Sequence, residues 1–305
     1  MYDIVVIGAG TAGLTAAIYS VRAGKKVLVL EGKAYGGQII NTPSIENYPG
    51  IKNVSGFEFA TNLYEQAIEL GVEVKYEKVI SIEDLEQISN KVVKVESGEE
   101  YKCKAIIIAT GTVNRKLGLD KEEELIGKGI SYCATCDGAF YRGKDVAVVG
   151  GGSTALEDGI FLSNYCNKVY VVHRRDAFRG EEALVKALEE KDNVEFILDS
   201  NVVNIQGDAQ LEALDIKNNK TGKIIELKLN GLFIAIGQVP SNDLFSKIIE
   251  LDSYGYIVAD ETCKTSVEGV YVAGDCRTKK VRQLTTAAAD GAVSALAACE
   301  YIDAK

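Results

Sequence analysis

Histidine is almost missing from this 305-residue chain, in which His173 is the only one. Cys133 and Cys136 form a Cys-x-x-Cys pair, but no second pair accompanies them. Together the two shortages argue against the four-ligand cysteine and histidine sets that hold zinc. They also leave acid–base work near those thiols to another residue type. Excess positive charge is missing as well. Lys and Arg number 34 against 44 Asp and Glu, a net charge of −10, which argues against a nucleic-acid or anionic-membrane partner. No apolar run approaches the ~20 residues that span a bilayer. The first strand pattern, Tyr2-Asp3-Ile4-Val5-Val6-Ile7, starts at once, with no basic segment or apolar signal core ahead of it. A cytoplasmic protein is therefore expected. Five of the seven cysteines (Cys103, Cys166, Cys263, Cys276 and Cys299) are scattered singly. They make no secreted disulfide framework and read as reduced core thiols.

What is present is an ordinary globular balance, 47% hydrophobic and 26% charged, in a chain long enough for two domains. Two glycine-rich loops mark the halves. Gly8-Ala9-Gly10-Thr11-Ala12-Gly13 follows the strand Ile4–Ile7, and helical character from Leu14 to Ala23 leads to a second strand, Val27–Leu30. Gly150-Gly151-Gly152-Ser153-Thr154-Ala155 follows Val146–Val149 and precedes a helix over 156–164 and a strand over Lys168–Val172. A glycine fingerprint in a strand–turn–helix–strand context points to dinucleotide binding, with the pyrophosphate on the helix N-terminus.

Overlaying the halves separates their ligands. Glu31 lies 23 positions after Gly8, and His173 lies 23 after Gly150. A carboxylate at that point accepts a ribose 2′-hydroxyl, as FAD or NAD presents. His173-Arg174-Arg175, with Arg179 beyond, places cations there instead, which suit a 2′-phosphate. The first half thus reads as a site for FAD or NAD and the second as one for NADP. Gly159, inside the second helix, overlays Ala17, and close helix–sheet packing is the expected reason.

Each half closes with a related strand, Ala105–Ile108 running into Ala109-Thr110-Gly111, and Leu232–Ile236 ending at Gly237. A further strand, Val270–Ala273, ends at Gly274-Asp275. The expected fold class is α/β: two Rossmann-like, three-layer ββα dinucleotide-binding domains, the second inserted into the first. The layout assigns residues 1–112 and 244–305 to one domain and 113–243 to the other.

Cys133-Ala134-Thr135-Cys136-Asp137 lies between the two loops. Cysteines at this spacing can close a small ring and carry two electrons as a disulfide, and a pair at a helix N-terminus has one thiol of lowered pKa. Asp137 opposes thiolate formation, yet it is placed to donate or accept a proton during exchange. The alternative is that it caps the following turn. Arg282-Gln283-Leu284-Thr285-Thr286 opens a small-residue helix running through Ala298, whose N-terminus suits the charge on a reduced flavin. Asp275 could accept hydrogen bonds from ribityl hydroxyls.

The stretch Cys133 to Gly138, His173-Arg174-Arg175 with Arg179, Gly36-Gly37-Gln38, Glu46-Asn47-Tyr48-Pro49-Gly50, Gly274-Asp275 and Arg282-Gln283 together resemble the low-molecular-weight thioredoxin reductases, through nearly the whole chain. The resemblance implies bound FAD, NADPH as electron donor, oxidised thioredoxin as substrate and a homodimer. It implies that Cys136 is the thiol beside the flavin, that Cys133 attacks thioredoxin, and that Asp137 is the acid–base residue. Gly36, Gly37, Gln38, Asn47, Asp275, Arg282, Gln283 and Leu284 would then line the flavin, beside Thr110 and Gly111. It also implies that the inserted domain rotates, so that nicotinamide and disulfide face the flavin in turn. Two departures are Ser153, where the family often has Asn or Asp, and Gly159, where Ala is usual. A reductase for another dithiol or a peroxiredoxin-type partner, and a redox or nucleotide sensor that turns nothing over, are the competing readings.

Overall fold

The computed structural model describes residues 1–42, 44–85 and 91–304, the side chain of Asn41 aside. The chain forms two compact units: Met1–Val113 with Val239–Lys305, and Asn114–Gln238 inserted between them. In the first unit β1 (Tyr2–Ile7), α1 (Thr11–Arg22), β2 (Val27–Leu30), α2 (Gly56–Glu69) and β3 (Glu73–Lys75) lead to β4 (Val79–Glu83), β5 (Lys91–Val95) and β6 (Glu100–Ile108). A short strand β7 (Thr112–Asn114) leads out. The second unit holds β8 (Ile130–Ser131), the one-turn helix α3 (Ala134–Asp137), β9 (Asp145–Gly150), α4 (Ser153–Ser163) and β10 (Lys168–Val172). It continues through α5 (Glu182–Glu189), β11 (Val194–Ile197), β12 (Ser200–Gln206), β13 (Ala213–Asn218), β14 (Ile224–Lys228) and β15 (Gly231–Ala235). β16 (Gln238–Pro240) pairs with β7 on the way back, and β17 (Val270–Val272) and α6 (Leu284–Asp303) complete the first unit.

The first sheet runs β3-β2-β1-β6-β17, all parallel. β6 serves two layers. Its amino-terminal half pairs antiparallel with β5, and its carboxyl-terminal half lies between β1 and β17. Alternation along the strands then feeds two cores. Ile4, Val6, Ala105 and Ile107 pack under α1 and α6. Val5, Ile7, Leu28, Leu30, Ile106 and Ile108 pack against Ile82, Val93 and Val95 of the β4–β5 meander. With both faces covered, β2 is apolar at all four residues, as a buried parallel strand must be. The small residues of α6 are a packing device. A Cβ on Gly291 would lie 2.4 Å from the Ala12 carbonyl oxygen of α1, so only glycine lets the helices approach so closely.

The second unit repeats the plan, with sheet order β11-β10-β9-β15-β8 and a separate β12-β13-β14 meander. Val146, Val148, Val169, Val171 and Phe233 face Ala155 and Leu162 of α4. Ala147, Val149, Val172, Leu232 and Ile234 face Val202, Ile205, Leu214 and Ile216 of the meander. Each unit is thus a three-layer ββα sandwich of the expected class. The expected helix over 156–164 starts three residues earlier, at Ser153, because its first turn is built from the glycine loop itself. The five single cysteines are buried thiols, and burial pushes Cys103 and Cys263 up to about 12. No helix among the described residues is long and apolar enough to cross a membrane.

His173 departs from its sequence reading as a cation. It directly follows β10 and is only 5% exposed, stacked at 5.3 Å on Phe178, with its Nε2–H donated to the Ala177 carbonyl at 3.1 Å. A Cβ on Gly151 would lie 2.0 Å from the ring, so the imidazole fills the space that Gly151 leaves. Burial first, then Arg179, Arg174 and Arg175, hold its pKa below the ordinary value of 6.5, against the opposing pull of the Ala177 bond. The ring is a neutral packing element. A base with a lowered folded pKa takes its proton first in the unfolded chain, so stability falls as pH drops below about 6.5. The ring proton resonance of this one histidine should titrate below the peptide value, and a midpoint at the peptide value would contradict its burial.

Gly159 lies on α4 with Leu188 Cδ2 3.3 Å and Val171 Cγ2 3.5 Å from where a Cβ would sit. The close packing is real, but the tightest neighbour is the flexible end of a leucine. Gly159→Ala should therefore keep most of the ~1 kcal/mol helix-propensity gain and raise the thermal midpoint. A lowered midpoint would show that Leu188 cannot give way.

Candidate functional site

Every parallel strand of the first unit ends at the same edge, and the sequence-marked residues gather there. Gly8 follows β1 at φ +109°, and a Cβ on it would strike the Ala109 carbonyl oxygen at 2.4 Å. A Cβ on Gly13 would lie 1.9 Å from the Gly8 oxygen. These two glycines close the turn. Gly10 is the N-cap of α1, with no side chain capping it and no acidic residue in the first turn, which Thr11, Ala12 and Gly13 open. Glu31, at the end of β2, accepts the Ala9 N–H at 2.8 Å and the Lys33 N–H at 2.9 Å, one on each carboxylate oxygen. A carboxylate has about four acceptor positions, so capacity for a ribose hydroxyl remains.

The next loop returns to the same place. Gly36 bridges Gly10 and donates its N–H to the Ala9 oxygen at 2.8 Å. Gly37 (φ +67°) begins a 3₁₀ turn in which the Gln38 amide donates to the Thr112 carbonyl. Thr110, just beyond β6, contacts Asn242 Oδ1 at 3.1 Å, and Gly111 adopts φ +64°. Asp275 follows β17. Its Oδ1 is buried without a hydrogen-bond partner, and burial pushes its carboxyl up against the pull of Lys279 and Arg282. Arg282 stacks over Tyr256 at 4.2 Å and donates from Nε to the Asp275 backbone carbonyl at 3.3 Å. Gln283 caps α6 in a reciprocal box with Thr286, and Asn47 donates to its Oε1 at 3.2 Å. Leu284 packs against the Ile45, Val54 and Phe59 cluster. An uncapped helix start, a free-sided carboxylate and an orphaned buried oxygen along one edge fit the pyrophosphate, ribose and ribityl hydroxyls of FAD.

In the second unit Gly150 ends β9, and its Cβ would meet the Ala235 oxygen at 2.4 Å. Gly152 is the N-cap of α4, again with no side-chain cap, and a Cβ there would meet nothing. Ser153 uses its Oγ to accept the Glu181 N–H at 3.2 Å, and Thr154 is exposed. The arginine segment is bolted to this loop, because Arg179 and Gly180 donate their N–H groups to the Gly151 oxygen at 2.7 and 3.2 Å. The side chains of Arg174, Arg175 and Arg179 are exposed, and no ion pair among the described residues engages them. Three unneutralised guanidinium groups beside an uncapped helix start fit a phosphate-bearing nucleotide.

Cys133 and Cys136 form a disulfide at the carboxyl end of β8, with Cα atoms 5.3 Å apart. Cys133 is the N-cap of α3, but α3 has one turn, so the helix dipole behind the pair is slight. Asp137 caps nothing. Its Oδ2 accepts the Ser131 hydroxyl at 2.7 Å, and its Oδ1 is buried with no partner. Burial raises its pKa and the Ser131 bond opposes that rise. A carboxyl group of raised proton affinity beside a disulfide can hold the proton that exchange must move.

Several functional neighbours escaped the sequence reading. Gly180 is needed because its Cβ would sit 2.8 Å from the Ser153 nitrogen. Asn242 ties the re-entering chain to the Cys276 and Gly255 carbonyls at 2.8 and 2.9 Å. Asp290 of α6 accepts from Gly274 N, twice from Arg277 and once from Lys279, which fixes the Asp275 loop. Ser131 stands two residues before Cys133. Only the second glycine loop offered a pattern, since Gly180 follows the arginines directly.

Among known proteins, the pyridine nucleotide-disulphide oxidoreductase family matches residues 2–291. The chain is 42% identical to the thioredoxin reductase of Peptoclostridium acidaminophilum, covering 100% of this chain and 98% of that one. It is 43% identical to a Clostridium pasteurianum protein described as a 34.2 kDa protein in rubredoxin operon, covering 99% and 98%. A crystal structure of thioredoxin reductase from Streptococcus pyogenes superposes with a TM-score of 0.94 at 41% identity, covering 100% and 99%. The chain therefore belongs to the pyridine nucleotide-disulphide oxidoreductase family.

Proposed function

We propose that this chain is an NADPH-dependent flavoprotein disulfide reductase of oxidised thioredoxin, working as a cytoplasmic homodimer. The first unit is the FAD domain and the inserted unit is the NADPH domain. The observation that carries this reading is the inserted unit's own composition: a disulfide, a carboxyl group of raised proton affinity and an arginine-flanked phosphate loop along one sheet edge. The glycine loop and Arg174, Arg175 and Arg179 take the nucleotide's phosphates, including the 2′-phosphate that NADH lacks. Glu31, Asp275 and the start of α6 hold FAD. A bound flavin supplies the hydride-accepting, electron-pair-donating chemistry that this chain's side chains lack. Cys136 would be the sulfur that receives the electron pair, Cys133 the one that attacks the thioredoxin disulfide, and Asp137 the group that holds the proton. Relatives named thioredoxin reductase support the choice of substrate.

Cys133→Ser and Cys136→Ser should each leave flavin bleaching by NADPH intact while thioredoxin reduction falls by several orders of magnitude. Thioredoxin turnover surviving in either variant would sink the assignment. Replacing Arg174 and Arg175 together removes two charge-assisted contacts of ~1.5–3 kcal/mol each. The NADPH KM should rise at least tenfold while the NADH KM barely moves; an unchanged NADPH-to-NADH preference refutes the phosphate site.

A further inference from the structure

Ser131 belongs to no motif in the sequence, yet its hydroxyl is the junction of the disulfide segment. The residue is 4% exposed, at the end of β8. Its Oγ accepts the Cys133 N–H at 3.0 Å, which pins the oxygen in place. The single hydroxyl proton has two acceptors within reach, Asp137 Oδ2 at 2.7 Å and the Cys133 carbonyl at 3.3 Å. The closer contact, to a carboxylate, is the stronger while Asp137 is ionised. When Asp137 is protonated at Oδ1, the oxygen without a partner, the Ser131 hydroxyl can still donate to Oδ2, now the weaker acceptor of a neutral acid, or turn to the Cys133 carbonyl. A hydroxyl is both donor and acceptor, so neither protonation state leaves Ser131 unsatisfied. An alanine could do neither.

We infer that Ser131 is a positioning residue that sets the proton affinity of Asp137 and so the pH range in which Cys133–Cys136 exchanges. This rests on the reading of Asp137 as the proton carrier. Opening the disulfide takes two electrons, breaks the S–S bond and leaves two thiolates. One takes its proton from the Asp137 carboxyl group, water protonates the other, and Ser131 then donates to the new carboxylate. Oδ1, the oxygen without a partner, is the atom left to release that proton.

The charges around Asp137 leave Ser131 as the adjustable contact. Tyr141, in the turn that follows, is pushed up to about 12 by burial and then by Asp137 itself, so it stays neutral. Lys144 lies 5.5 Å over the Tyr141 ring. On α4, which packs against α3, Asp158 is raised to about 7 by burial and by Glu157, and neither of the two bears on Asp137.

The test uses the full-length, flavin-loaded chain, with carbon-13 in its aspartate carboxyl groups and Asp137→Asn to assign the resonance. Removing a bond that favours the carboxylate should raise the Asp137 midpoint in Ser131→Ala by about one pH unit or more. Ser131→Thr, which keeps the hydroxyl, should hold it near the original value. Asp137 must be protonated to give up its proton, so the rate constant for disulfide reduction by dithiothreitol thiolate should carry an alkaline limb that moves with the midpoint and vanishes in Asp137→Asn. An unmoved midpoint in Ser131→Ala, a shift as large in Ser131→Thr, or a limb that survives Asp137→Asn overturns the proposal. Neither readout uses thioredoxin, so a chain that shifts as expected yet reduces no thioredoxin overturns the functional reading alone.

Discussion

The constraint on which this architecture depends is the burial of both faces of a parallel sheet. A strand covered by helices on one side and a meander on the other has no polar face, so its chemistry is left to its ends. Parallel strands share one carboxyl edge, and the loops leaving it are brought together by geometry alone. In the first unit that edge collects Gly8, Glu31, Thr110 and Asp275, each at the end of a different strand. In the second it collects the disulfide after β8, the glycine loop after β9 and the arginine segment after β10. Residues far apart in sequence become neighbours with no individual contact selecting them.

The same constraint explains what was legible in the sequence. β2 falls on the expected residues because a fully buried strand is a continuous apolar run with polar residues at both ends, and β10 does so because Val169, Val171 and Val172 are buried. The two glycine loops were readable because close approach demands glycine at several of their positions: added Cβ atoms would lie 1.9 Å from Gly8 O and 2.0 Å from the His173 ring. What spacing cannot give is the direction of a side chain. The overlay put His173 opposite Glu31 correctly, but the imidazole turns inward against Gly151 while Arg174 and Arg175 face solvent. Ser131 and Asn242 were invisible for a related reason. A single hydrogen-bonding side chain has no period and no motif, and its role appears only once distant carbonyls and carboxylates stand beside it.

Three part-buried or buried aspartates show how this fold separates support from chemistry. Asp290 accepts four hydrogen bonds, bidentate from Arg277 and one each from Lys279 and Gly274, and these hold its carboxyl below the usual range despite burial. Removing one member of such a network leaves a buried charge uncompensated, at a cost of ~3–5 kcal/mol. Asp137 and Asp275 are the opposite case. Each keeps one buried oxygen with no partner, and burial raises each pKa. A satisfied carboxylate is fixed and unreactive, whereas an unsatisfied one retains capacity for a proton or a ligand hydroxyl.

The arrangement around Asp275 shows why the two kinds must occur together. An oxygen left without a partner in the interior costs free energy, roughly 1–3 kcal/mol, and the local backbone would relax to satisfy it if it could. Asp290 prevents that relaxation by holding the Gly274 N–H from α6, the helix whose first turn carries Gln283 and Leu284. The network therefore does more than stabilise the first unit. It holds the loop that carries Asp275, with its unpartnered Oδ1, in register with the helix start that shares the sheet edge. At the disulfide the corresponding part falls to one hydroxyl. Ser131 is fixed by the Cys133 N–H, and it restrains one oxygen of Asp137 while leaving the other open. In both places a fully bonded group holds a partly bonded one away from its own best arrangement, and the chemistry is done with the difference.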